Sequence, residues 1–164
     1  MIQNHRRALT LSVFAIAAII LSACERSISE APVESGENFG ENDRSSTGFV
    51  PTERFEQLAD AFFAEPEVST EGWERAIDAQ ARVVSAFEDA LMGHDPAVPV
   101  IFTGHGAVGT LLKCHLGRIR IARSEDQRRI GDPGGGNVFV VRLSDRRLLS
   151  DWMAMETLPE DFPL

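Results

Sequence analysis

The order of apolar and polar positions divides the chain before any composition is considered. Residues 8–24 carry no charge and are dominated by Leu, Ile, Ala, Val and Phe. Residues 25–47 are polar, rich in Ser, Glu, Gly and Asn, and show neither helical nor strand period, so they read as a tether or irregular loop. Phe55, Leu58, Ala59, Phe62 and Phe63 then recur at helical spacing. They predict an amphipathic helix over 53–64, capped by Thr52 and ended by Pro66. Trp73, Ile77, Val83, Val84, Phe87 and Leu91 mark the core face of a second helix over about 72–92. Ser69 or Thr70 can cap it, and Gly93 closes it.

The second half reads differently. Residues 98–103 (VPVIFT) form a continuous apolar run rich in β-branched residues, the signature of a strand buried on both faces of a parallel sheet. Gly104-His105-Gly106 follows at once, and 107–116 (AVGTLLKCHL) reads as a helix stopped by Gly117. The glycine-rich stretch 132–137 cannot be regular structure. Residues 138–143 predict a strand, Ser144-Asp145 a turn, and 146–152 a last strand. Helix, helix, strand, helix, strand, strand points to an α/β fold with a mostly parallel sheet. There is no internal repeat.

The first apolar run is the wrong shape for a core element. Arg6 and Arg7 precede it, and it ends in Leu21-Ser22-Ala23-Cys24, the layout of a secretory signal closing on a bacterial lipobox. This reading gives a signal over 1–23, a tether over 24–37 and a domain over 38–164. Cys24 would carry lipid and hold the domain at a membrane of the bacterial cell envelope, periplasmic or outer face. Two other readings stay open: an uncleaved anchor, although 17 uncharged residues fall short of the roughly 20 a spanning helix needs, and a mis-assigned start.

Composition narrows the choice further. With no second long apolar run, a polytopic membrane protein is excluded. With two cysteines, one of them Cys24, a disulfide scaffold is excluded as well. The chain carries a net charge of −9 and shows no basic stripe, which argues against nucleic acid as a partner. The charge is uneven: residues 24–99 stand at −12, whereas 100–164 stand at +1. A site for an anionic small molecule therefore belongs in the second half.

The junction at 101–106 (IFTGHG) carries the most chemistry. Ligands of open α/β sheets bind at the carboxyl ends of strands, where a following helix presents unpaired N–H groups and partial positive charge. Gly104 and Gly106 allow close backbone approach, and His105 places an imidazole at that mouth, able to donate to a phosphate oxygen or move a proton. The plainer alternative is a histidine that packs at a strand-to-helix turn. The glycines at 134–136 are not followed by Lys-Ser/Thr and do not form a P-loop. His94, His115 and Cys114 read as a turn residue, a helix-edge residue and a small core residue. No metal site and no cofactor is expected.

The residues 102–112 (FTGHGAVGTLL), then Gly134-Gly135-Gly136-Asn137-Val138-Phe139, then Leu149, Trp152 and Glu156, resemble the C-terminal half of the histidine phosphatase superfamily, the phosphoglycerate-mutase-like proteins. Residues 40–49 (GENDRSSTGF) and 72–80 (GWERAIDAQ) resemble one branch of it, so the likeness spans about 38–156. It implies a partial α/β/α sandwich and a phosphoric monoester hydrolase or binding protein, without a metal. His105 matches the family's second active-site histidine, which holds the transferred phosphoryl group. Glu41 matches the acid that protonates the leaving oxygen, and Arg44 beside it a residue that binds the anion. Gly104 and Gly106 belong to the substrate-binding turn, and Arg26, spaced from Ser22 as in the family's Ser-x-x-x-Arg segment, to the anion pocket.

The departure is at the nucleophile. The family's Arg-His-Gly motif on its first strand is nowhere in this chain. The resemblance therefore implies a fold missing its first strand and phosphate-monoester hydrolysis impaired by loss of the nucleophile. The alternatives are a non-catalytic envelope lipoprotein module or a truncated phosphatase fragment. A missing first strand also predicts either an open apolar sheet edge or a substitute segment in its place.

Overall fold

The structure, a computed structural model, describes residues 16–22, 40–96 and 98–159. It is a mixed α/β fold. Its elements are β1 (Ile16–Ser22), α1 (Thr52–Ala64), α2 (Ala76–Ala90), β2 (Val100–His105), α3 (Gly106–Gly117), α4 (Gln127–Ile130), β3 (Asn137–Arg142), β4 (Arg147–Leu148) and β5 (Met153–Ala154). Single turns of 3-10 helix lie at Arg123–Glu125 and Met155–Thr157. No helix among the described residues is long and apolar enough to cross a membrane.

The sheet runs β2-β1-β3-β4, with β5 also on β3. A substitute segment is present: Ile16–Ser22 lies between β2 and β3, from Ile16 opposite His105 to Leu21 opposite Val100 on one side, and from Ala18 opposite Val138 to Ser22 opposite Arg142 on the other. The expectation of a mostly parallel sheet is not met. β1 pairs parallel with β3 alone, and the other three pairings are antiparallel. For β4 and β5 the reason is local. β4 and β5 return to β3 through short connections, which permit only antiparallel pairing.

α2 and α3 cover one face of the sheet. Val83, Phe87 and Leu91 from α2 and Val108 and Leu112 from α3 bury against Phe102, Phe139, Val141, Leu143 and Trp152. β2 is buried on this face alone, through Phe102, and leaves Ile101 and Thr103 exposed, so the two-sided burial read from its sequence does not hold. A second cluster joins Leu58, Phe62 and Phe63 of α1 to Trp73, Ala76, Ala79 and Leu111. At about 25 cal/mol per Å² of apolar surface, clusters of this size supply most of the drive for folding.

α1 and α3 match their sequence periods closely. α2 begins at Ala76 rather than near 72 because Glu71 and Gly72 both adopt positive φ and turn the chain. Trp73 is nevertheless buried, from that turn. The last strand is broken: β4 and β5 flank a non-strand stretch in which Ser150 Oγ accepts from Val140 N–H at 2.9 Å and Trp152 packs edge-on against Phe139 at 4.7 Å.

Candidate functional site

His105 closes β2 and Gly106 opens α3, so the junction singled out in sequence is a strand end feeding a 12-residue helix. Gly106 is required there. A Cβ at this position would collide with Nε2 of Gln127 and stand 3.0 Å from its Cδ. Gln127 is in turn held by Asn137, whose Nδ2 donates to Gln127 Oε1 at 3.3 Å and to Asp132 O at 2.7 Å. Asp132 N–H donates to Asn137 Oδ1 at 2.6 Å. The glycine-rich loop ahead of β3 thus braces the start of α3 through two buried amide side chains.

The loop around 40–47, polar and aperiodic in sequence, is fixed by long-range bonds. Arg82 donates to both oxygens of Glu74, at 3.0 and 2.9 Å, and to the backbone carbonyl of Glu41 at 3.1 Å. Glu74 N–H donates to Asp43 O at 2.9 Å, and Asp43 N–H donates to Glu74 Oε2 at 3.2 Å. Trp73 Nε1–H donates to Thr47 Oγ1 at 2.9 Å. This scaffold sets Glu41 against the strand end. Its Oε1 lies 3.2 Å from His105 Nδ1, and its Oε2 pairs with Arg44. The Arg44 guanidinium also lies over Phe55 at 5.0 Å and Trp73 at 5.6 Å, a cation–π placement that fixes its plane.

Around these groups lies a cavity of about 230 Å³. Its polar wall holds Glu41, Asn42, Arg44, His105, Arg123, Asp126, Gln127 and Arg128, and its apolar wall Phe55, Phe62, Phe63 and Trp73. Three arginines face two carboxylates. Arg123 is anchored by Asp126 Oδ2 at 2.9 Å and Asp60 Oδ1 at 3.2 Å, whereas Arg128 is half exposed and reaches Glu56 only at 3.7 Å. Asn42 is 5 % exposed. Its Nδ2 has no hydrogen-bond partner among the described residues.

Of the residues expected from sequence, His105, Glu41, Arg44 and Gly106 come together. Gly104 lies within β2 opposite Ala17 and does not line the cavity. Cys24 and Arg26 lie outside the described residues. Asn42, Arg123, Asp126, Gln127 and Arg128 were not legible as site residues. The excess of base over acid after residue 100 was the signal for Arg123 and Arg128. Among the described residues, His105 is the one histidine in the cavity wall. His94 instead bonds Val98 O within its turn, at 2.8 Å. Cys114 is no substitute nucleophile, because burial pushes its thiol up to about 11. No group of three His, Cys, Asp or Glu side chains among the described residues is arranged to hold a metal ion. No family model matches the chain, and no curated protein matches it.

Proposed function

We propose that the cavity binds a phosphate monoester, as a histidine-phosphatase-like site whose hydrolysis is impaired by loss of the nucleophile. The observation that carries this reading is the contact of His105 Nδ1 with Glu41 Oε1, 3.2 Å apart, at the mouth of α3. The Glu41 carboxylate beside Nδ1 holds the ring at the strand end, and Nε2 is the ring nitrogen left to meet a phosphoryl oxygen. The first-turn N–H groups of α3 and the guanidinium of Arg44 supply further donors to the same anion.

Glu41 is engaged at both oxygens, by His105 and by Arg44. It orients His105 in the resting site and acts as an acid on a leaving oxygen only after one of those partners lets go. Among the described residues the wall holds a single imidazole, so a phosphohistidine formed there has no second histidine beside it to hold the charge. The layout of residues 1–24 supports a cell-envelope location with lipid on Cys24 and a phosphorylated small molecule as ligand, for a form of the domain from which residues 1–23, β1 included, have been cleaved. The test of the site is calorimetric titration with phenyl phosphate beside turnover of p-nitrophenyl phosphate. Saturable binding, lost at least about 10-fold in His105→Ala, supports it. Equal affinity in both proteins refutes it. Palmitate labelling abolished by Cys24→Ala tests the anchor, and labelling that survives the substitution rejects it.

A further inference from the structure

The envelope form proposed above lacks β1, and the sheet around β1 shows what that form needs. Ile16–Ser22 pairs antiparallel with β2 over six residues and parallel with β3 over five. Its removal bares the backbone N–H and C=O groups on the facing edges of both strands. Those strands carry Phe102, Val138, Phe139, Val140 and Val141, all buried. Strands on either side of a missing one stand about 9.5 Å apart, two strand spacings, so β2 and β3 pair with each other only if one of them moves by a full spacing. Resting on the reading that residues 1–23 are cleaved, we infer that the gap between β2 and β3 is a strand-acceptor site, filled in the envelope form by an uncharged apolar strand of a partner polypeptide.

Collapse of the gap is opposed from both sides. Gly106, directly after β2, packs on Gln127, whose Oε1 accepts from Asn137 at the head of β3. This brace crosses the end of the gap beside His105 and ties β2 to β3 at a fixed separation. Phe102 lies 5.2 Å from Phe87 of α2, Phe139 and Val141 share that cluster, and β4 and β5 hold β3. Closing the gap breaks these contacts, whereas a strand entering it breaks none. The segment already seated there defines the occupant: seven residues, IAAIILS, without charge and polar only at the last position. A charged side chain among the buried flanks would be desolvated without a partner. Main-chain pairing on two edges supplies affinity, as strand addition does on one, and the direction is set parallel to β3. The stretch that follows in the chain, rich in Ser, Glu, Gly and Asn, does not match this occupant. A second copy loses its own residues 16–22 to the same cleavage, and its β2 and β3 are built into its sheet.

The experiment vacates the slot in the full chain with Ala18→Pro/Ile20→Pro, since proline removes ladder bonds from a central strand. The probe is a fluorescent peptide of the sequence 16–22 between lysine flanks. The expected result is saturable binding, about 10-fold or more tighter to this variant than to the parent, whose slot is filled. Amide exchange should slow over 100–105 and 138–142, and a peptide carrying the same two prolines should not bind. Equal binding to variant and parent, or protection elsewhere in the chain, overturns the inference. If the variant is unfolded alone, refolding with the peptide should restore the parent's thermal transition, and failure to restore it overturns the inference too. A variant that dimerises without peptide, by light scattering, and protects the same amides gives the slot to a second copy and refutes the partner. The reading beneath is tested apart: an envelope-fraction chain whose N-terminal mass still includes residues 16–22 refutes cleavage, and the partner with it, even where the peptide binds.

Discussion

Gly106→Ala is the sharpest probe of how the site is braced. Helix propensity alone favours the change: alanine at a helical position is worth up to about 1 kcal/mol over glycine. Gly106 has no positive φ, so the backbone raises no objection. The new methyl group, however, collides with Gln127 Nε2 and stands 3.0 Å from Cδ. Gln127 is 2 % exposed and pinned through Asn137, so it cannot swing into water without leaving its hydrogen bond. Overpacking a buried contact of this kind costs about 1–3 kcal/mol, and a lost buried hydrogen bond about 1 kcal/mol. The steric term wins, and the net is a loss of about 2 kcal/mol, or roughly 8 °C in Tm for a domain of this size. The assay is thermal unfolding by circular dichroism. The double variant Gly106→Ala/Gln127→Ala should regain part of the loss, because the clash partner has gone. A Tm for Gly106→Ala within about 1 °C of the parent, or strictly additive effects in the double variant, would show that Gln127 does not brace α3.

Three further outcomes follow from the same geometry. Lys113 is fully buried on α3 and pairs with Glu125 at 2.9 Å and Asp151 at 2.5 Å. Lys113→Met should cost about 3 kcal/mol in urea unfolding, the low end for breaking a buried pair, because Asp151 is half exposed and regains water. Trp73→Phe keeps the ring in its cluster but removes the donor to Thr47. A loss of about 1 kcal/mol is expected, together with weaker phenyl phosphate binding from a loosened 40–47 loop; unchanged binding would separate that loop from the site. Cys114 should resist thiol reagents. With its thiol raised to about 11, the thiolate fraction at pH 8 is about 100-fold lower than for an ordinary thiol near 9. The sign of the linkage is that the raised value contributes stability fully present below pH 9 and lost as the pH climbs toward 11, when the unfolded chain ionises first. Labelling a Cys24→Ser protein across this range checks both.

What the sequence disclosed was whatever depended on local period and local turn chemistry. The i, i+3, i+4 repeat of Phe55, Leu58, Ala59, Phe62 and Phe63 is an intrinsic property of one segment, and α1 followed from it. His105 and Gly106 were legible because a strand-to-helix junction is also local. Arg123 and Arg128 were not, since a surface arginine and a site arginine look alike until the fold brings α1 opposite the 3-10 turn and α4. Lys113 hid inside an apolar helical run, and only Glu125 and Asp151, from two other stretches, explain its burial. The 40–47 loop lacks any period because its order comes from Trp73 and Arg82, 26 and 41 residues away by chain from the groups they bond. Pairing direction in the sheet was illegible for the same reason. An apolar run states that a strand will be covered, but not which neighbour will cover it.

The middle position of β1 has a consequence for the order of events as the chain is made. Residues 16–22 are synthesised early, yet their partners are Val100–His105 and Asn137–Arg142, so the central strand is the first to be made and among the last to be paired. Non-local pairing of this kind is slow. Throughout that interval the segment is an uncharged apolar run without its neighbours, the form in which secretion machinery engages a signal. Cleavage ahead of Cys24 and insertion between β2 and β3 are mutually exclusive fates of the same seven residues. If residues 1–23 act as the export signal proposed above, export and folding compete for this one segment, and the mass of the N-terminus tells them apart: loss of residues 1–23 leaves a sheet without its central strand, and retention leaves β1 available to fill it.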